Sequence, residues 1–98
     1  MRLTYAQIES IRQATREIAG PGARVRLFGS RLDDDARGGD VDLMVECDDP
    51  VEDPALLAAR IGAIVTRALR GRRVDVVVKA PNLRQLPIHE AAARGILL

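Results

Sequence analysis

No tryptophan occurs in this chain, and Tyr5 and Phe28 are its only other aromatic residues of the Phe, Trp and Tyr type. The core must therefore be built from Leu, Ile, Val and Ala. A small aliphatic core without disulfides is often marginal alone, so a partner could supply missing burial. Cys47 is the sole cysteine, which excludes an internal disulfide and a cysteine-based zinc site and fits a reducing compartment. No run approaches the roughly 18 apolar residues that a membrane helix needs. The opening MRLTYAQIES has no apolar stretch of the secretory type. A soluble, cytoplasmic protein is expected. Charge of one sign is missing too: 15 Lys and Arg against 14 Asp and Glu leave a formal +1. That balance, with so few aromatics, argues against a dedicated nucleic-acid-binding surface.

What is present is globular composition. Of 98 residues, 47% are hydrophobic and 30% charged, which is too apolar for a disordered chain and too short for two cores. One domain over residues 1–98 is expected. Thr4 and Gln7 form a capping box, and Ile8, Ile11 and Ile18 fall near one helical face, so a first helix is expected over about residues 5–19. Gly20-Pro21-Gly22 stops it. Val25 to Phe28 alternates and ends at Gly29, the pattern of a short strand. After the polar, acidic stretch Arg31 to Gly39, Val41 to Glu46 resumes as a strand. Asp53-Pro54 is an N-cap and first-turn pair for a helix carrying Leu56, Leu57, Ile61, Ile64, Val65 and Leu69, with Gly71 as its stop. Arg73 to Lys79 is a third strand, Pro87 to Arg94 a last short helix, and Ile96-Leu97-Leu98 an apolar tail. This order gives an α/β (α+β) fold, a small mixed β-sheet with helices packed on it.

The chemistry concentrates at three points. Asp40-Val41-Asp42 places two carboxylates two residues apart, on one side of a strand and about 6–7 Å apart at Cβ. Oxygen-rich sites of this kind suit Mg²⁺, which takes a few carboxylates together with substrate phosphates and water. Asp75 sits inside the third strand and joins the same face if the two strands are neighbours. Three such carboxylates could hold two metal ions for in-line phosphoryl or nucleotidyl transfer. The third point is Gly29-Ser30-Arg31 directly after a strand: glycine permits close backbone approach, serine and free amides bind phosphate oxygens, and Arg31 adds a forked donor. Each piece alone has an ordinary structural reading, a solvent-facing strand edge for the aspartates and a common turn for Gly-Ser. Their conjunction is far more specific.

The segment LFGSRLDDDARGGDVDLMVE, followed by RVDVVVK, resembles the minimal nucleotidyltransferase family of the DNA polymerase β-like nucleotidyltransferase superfamily. The resemblance implies a nucleotidyltransferase-like fold in which Gly29, Ser30 and Arg31 hold the triphosphate. Asp40 and Asp42 would ligate Mg²⁺, and Asp75 would be a further metal ligand or the base for the attacking hydroxyl. It implies transfer of a nucleoside monophosphate, AMP from ATP, to a hydroxyl acceptor. Minimal members typically work with a separate helical protein of the HEPN type, so a toxin–antitoxin pair with AMPylation of the partner is expected. Two rival readings remain. One is a catalytically silent interaction module; the other is a small-molecule nucleotidyltransferase whose acceptor pocket is completed by a partner or by homo-oligomerisation. The spacer of nine residues, Arg31 to Gly39, is short for the family and carries Asp33-Asp34-Asp35, which would oppose ATP unless they face solvent or are offset by Arg31, Arg37 and Mg²⁺.

Three further features read as structural. His89, the only histidine, is assigned a surface or capping role. The basic run Arg70 to Arg73 is read as a solvated helix end. Cys47, beside Asp48 and Asp49, should have a raised thiol pKa and little reactivity.

Overall fold

The computed structural model describes residues 3–29 and 40–98. Within them, helix α1 runs from Tyr5 to Ala19. Its start is the reciprocal cap expected from sequence: the Gln7 amide donates to Thr4 Oγ1 at 3.1 Å, and the Thr4 amide donates to Gln7 Oε1 at 2.9 Å. It stops at Gly20, whose φ of +106° suits glycine. Ile11 and Ala14 are buried on its inner face, while Ile8 and Ile18 are half-buried.

Strands β1 (Arg24–Phe28) and β2 (Val41–Glu46) pair antiparallel. Helix α2 (Pro54–Ala68) then carries the chain back over the sheet to β3 (Val74–Lys79), which lies parallel to β2. Asp53 caps α2, accepting from the Leu56 amide at 3.0 Å, and Pro54 fills the first turn where its missing N–H costs nothing. Helix α3 (Pro87–Ala93) follows. The tail is not featureless: Ile96–Leu97 form a short strand, β4, antiparallel to β1, and the Leu98 amide donates to Val25 O at 2.9 Å. A two-residue strand is too short to leave an alternation in sequence, which is why it escapes a reading by periodicity. The four strands lie in the order β3-β2-β1-β4, a mixed sheet as expected.

Alternation assigns the two faces. Val25, Leu27, Val41, Leu43 and Val45 point toward α1 and α2, where they meet Ile11, Ala14, Ile61 and Val65 in the main core. Leu27, Leu43, Ile61 and Val65 have no exposed surface. The opposite face carries Arg24, Arg26, Phe28, Asp42, Met44, Glu46, Asp75, Val77 and Lys79. It is covered only in part, where Ala92 of α3 packs on Phe28 and Met44 with Val77 beside them. Arg26 Nε donates to Glu46 Oε1 at 2.5 Å across this face. The rest of it is polar, and among the described residues no second helical layer covers it. No helix among the described residues is long and apolar enough to cross a membrane.

Helix α2 ends one residue earlier than a stop at Gly71 would place it. Leu69 is its C-cap, Arg70 takes the left-handed position with φ +59°, and Gly71 follows at φ +86°. The Gly71 amide donates to Thr66 O at 2.9 Å and the Arg70 amide to Arg67 O at 3.2 Å, the paired bonds of a Schellman ending. Glycine usually occupies the first of these positions. Here it is arginine.

Candidate active site

The parallel pairing of β2 and β3 puts Asp42 in register with Asp75. Their side chains leave the same face of the sheet on adjacent strands, about 4.8 Å apart at the backbone. The condition attached to Asp75 by the sequence, that its strand neighbour the Asp42 strand, is therefore met. Phe28, the last residue of β1, is the register partner of Asp42 on its other side, so Gly29 follows at the same end of the sheet. Asp40 stands exposed just ahead of β2.

Gly29 is fitted to Asp42 by shape as well as by backbone. Its φ is +80°, a conformation that costs any L side chain about 1–2 kcal/mol. A β-carbon at this position would also collide with Asp42 Oδ2. Glycine here lets the chain turn away from β1 while leaving room for the carboxylate.

Electrostatics agree with that crowding. The Asp42 carboxyl is pushed above the usual carboxylate range by its burial first, then by the negative charges of Asp75 and Asp40, while Arg73 opposes the shift. Two acids side by side on adjacent strands repel, and cross-strand pairs of like charge are ordinarily destabilising. Arg73 offers the one nearby counter-charge among the described residues: its Nε lies 3.6 Å from Asp75 Oδ1, with both side chains at least half exposed. Reading the 70–73 run as a solvated helix end passed over this residue. The signal was present, since Arg73 and Asp75 are two apart on one strand and so share a side.

Among the described residues no group of three or more His, Cys, Asp or Glu side chains converges into a metal cage. The chemistry of the donors nevertheless fits Mg²⁺. Asp42 and Asp75 offer only hard oxygen ligands, their mutual repulsion would be relieved by a cation, and Mg²⁺ characteristically completes its shell with water and substrate phosphates. Ser30, Arg31, Arg37 and Asp33 to Asp35 lie outside the described residues.

Other candidates resolve as structural. His89 is buried rather than at the surface, and it caps α3: the Leu86 amide donates to its Nδ1 at 2.8 Å. That bond fixes the proton on Nε2, which donates to Val78 O at 3.0 Å. Cys47 is half-buried, with its thiol pKa raised. Burial is the larger cause, Arg24 works against it, and the acidic neighbours Asp48 and Asp49 add less. A cleft of about 420 Å³ bordered by Arg24, Glu46, Lys79, Arg84 and His89 lies on this side of the sheet. It is at the far end of β2 and β3, four residues and roughly 13 Å from the aspartate pair, and does not include it.

Compared with known proteins, residues 8–98 match the family described as the nucleotidyltransferase domain. No curated protein and no solved structure matches significantly.

Proposed function

The chain belongs to the nucleotidyltransferase domain family, and on that premise we propose that it transfers AMP from ATP to a hydroxyl acceptor in a Mg²⁺-dependent reaction. The observation that carries the reading is the in-register Asp42–Asp75 pair backed by a glycine whose missing side chain makes room for the Asp42 carboxylate. A surface with no ligand to hold gains nothing from like charges set side by side, which repel.

In this scheme Gly29, Ser30 and Arg31 bind the triphosphate through backbone amides, hydroxyl and guanidinium. Asp40, Asp42 and Asp75 hold Mg²⁺, which when bound supplies charge neutralisation for the phosphates and acidifies the acceptor hydroxyl. The acceptor oxygen forms a bond to the α-phosphorus, the bond from that phosphorus to the bridging oxygen breaks, and pyrophosphate leaves with the electron pair. Asp75, half exposed, takes the hydroxyl proton and can pass it to water. Asp42 is half-buried, and positioning of the reacting groups supplies much of the rate.

The acceptor belongs, on this reading, to a separate helical protein of the HEPN type, with the pair acting in the cytoplasm as toxin and antitoxin. Support comes from the sheet face around the aspartates, which no helix among the described residues covers, and from exposed apolar side chains at Leu86, Ile88, Ile96 and Leu97. Such a partner would supply the walls that a chain of this size lacks.

The test is isothermal titration with a non-hydrolysable ATP analogue, with and without Mg²⁺, on wild type and Asp42→Asn. Magnesium-dependent binding that the variant loses is the expected result. Equal binding by both proteins would remove Asp42 from the site and with it this mechanism.

A further inference from the structure

Arg73 stands at the aspartate end of the sheet, and the proposed reaction gives it no part. It immediately precedes β3, and its carbonyl accepts from the Val41 amide at 2.9 Å, so its backbone lies beside Asp40-Val41-Asp42. It is two positions before Asp75, and the ion pair between them shows that both side chains leave on the same side. The other ion pairs among the described residues use acids elsewhere: Arg12 with Glu9, Arg24 with Asp48, Arg26 with Glu46. Asp40, Asp42 and Asp75 therefore share a single guanidinium there.

Little holds that guanidinium in place. Its Nε lies 3.6 Å from Asp75 Oδ1, beyond hydrogen-bond range, so the attraction is Coulombic and not directional. The side chain is 73% exposed, so packing does not fix it either. An exposed pair of this kind is weak and easily broken. Its effect nonetheless reaches both aspartates, because Arg73 is the group that opposes the upward shift of the Asp42 carboxyl. In the metal-free protein Arg73 serves an acid pair that needs a cation.

We propose that Arg73 is a substrate-binding residue that exchanges between Asp75 and a phosphate oxygen of the nucleotide. The inference rests on the nucleotidyl-transfer reading, in which Asp42 and Asp75 hold Mg²⁺. A metal ion on that pair takes over the neutralisation that Arg73 provides, and it repels the guanidinium. The acceptors then brought to this end of the sheet are the phosphate oxygens. Arginine suits them, because its fork of donors matches a phosphate as well as a carboxylate. The exchange breaks one weak ion pair and disturbs no packing. Arg73 thus lowers the affinity of the empty site for metal and raises that of the metal-loaded site for nucleotide, which favours the arrival of the two together.

The test is an NMR titration of the full chain with MgCl₂ alone, followed by isothermal titration with a non-hydrolysable ATP analogue at saturating Mg²⁺. Wild type, Arg73→Gln and Arg73→Lys are compared. Arg73→Gln should bind Mg²⁺ about two- to five-fold more tightly than wild type, the range of an exposed ion pair. It should bind the analogue about ten-fold more weakly, the worth of a hydrogen bond to a charged group. Arg73→Lys should keep wild-type affinity for Mg²⁺ and fall between the other two for the analogue, since a point charge replaces a fork. Equal affinities in wild type and Arg73→Gln overturn the proposal and leave the nucleotidyl-transfer reading standing. Weaker Mg²⁺ binding by Arg73→Gln, or an Arg73→Lys that binds the analogue no better than Arg73→Gln, overturns it in the same way. A wild type that shows no Mg²⁺-dependent binding of the analogue removes that reading and this proposal with it.

Discussion

Replacing Asp42 with asparagine should make the metal-free protein more stable, the reverse of what most substitutions at a half-buried polar residue do. Asp42 and Asp75 are register partners on parallel strands, so their carboxylates lie on the order of 5 Å apart. At that distance the repulsion is about 0.8 kcal/mol in water and about 3 kcal/mol at an effective dielectric constant near 20. Half of the Asp75 side chain is exposed, which favours the lower end. Cross-strand like-charge pairs cost about 0.2–1 kcal/mol, so a gain near 1 kcal/mol is expected. For a domain of this size that raises Tm by about 4–8 °C. The assay is thermal or urea unfolding in EDTA at pH 7 and at lower pH.

The pH dependence has a definite sign. The folded-state pKa of Asp42 is raised above its unfolded value of about 4, so the native state binds the proton more tightly than the unfolded chain. The stability this group contributes is fully present below the unfolded pKa and is lost as pH rises through the folded one. The advantage of Asp42→Asn should therefore shrink on acidification and vanish near pH 4. Mg²⁺ should reverse the order at neutral pH, because ligand at ten times its Kd adds about 1.4 kcal/mol to wild type and little to the variant. A variant that is less stable than wild type in EDTA at pH 7, or whose advantage does not change with pH, would refute the reasoning.

Two other substitutions address the supporting geometry. Gly29→Ala should lose about 1–2 kcal/mol from the left-handed backbone alone, and should displace the Asp42 carboxylate as well. Urea unfolding and the ATP-analogue titration read the two effects, and wild-type affinity in this variant would separate Gly29 from the site. His89→Ala should cost about 2–3 kcal/mol, since it leaves the Leu86 amide and the Val78 carbonyl without partners. Hydrogen exchange at the Leu86 amide should rise above that of neighbouring α3 amides, and an unchanged urea midpoint would show that the cap contributes nothing.

Much of this fold was legible because local chemistry and global packing agree. Thr4 with Gln7 and Asp53 with Pro54 mark helix starts by bonds that need only near neighbours, and both starts are where the chain puts them. Alternation over Val25 to Phe28 likewise marked a strand, and β1 lies there. What escaped is non-local or too short. β4 has two residues and exists because β1 offers an open edge. The burial of His89 depends on where α3 docks, which no spacing in sequence reveals. The pairing of Asp42 with Asp75 required β2 and β3 to be neighbours, and sequence could state that only as a condition.

The departures from local rules are informative in their own right. Natural sequences are mostly consistent from one level to the next, and the exceptions tend to sit where function outweighs stability. In this chain the exceptions are few among the described residues. Like charges are set side by side at Asp42 and Asp75, and an arginine takes a left-handed position at Arg70 where glycine is usual. The first is a repulsion that a bound cation would relieve. The second is a backbone cost at the end of α2, set by the Schellman ending.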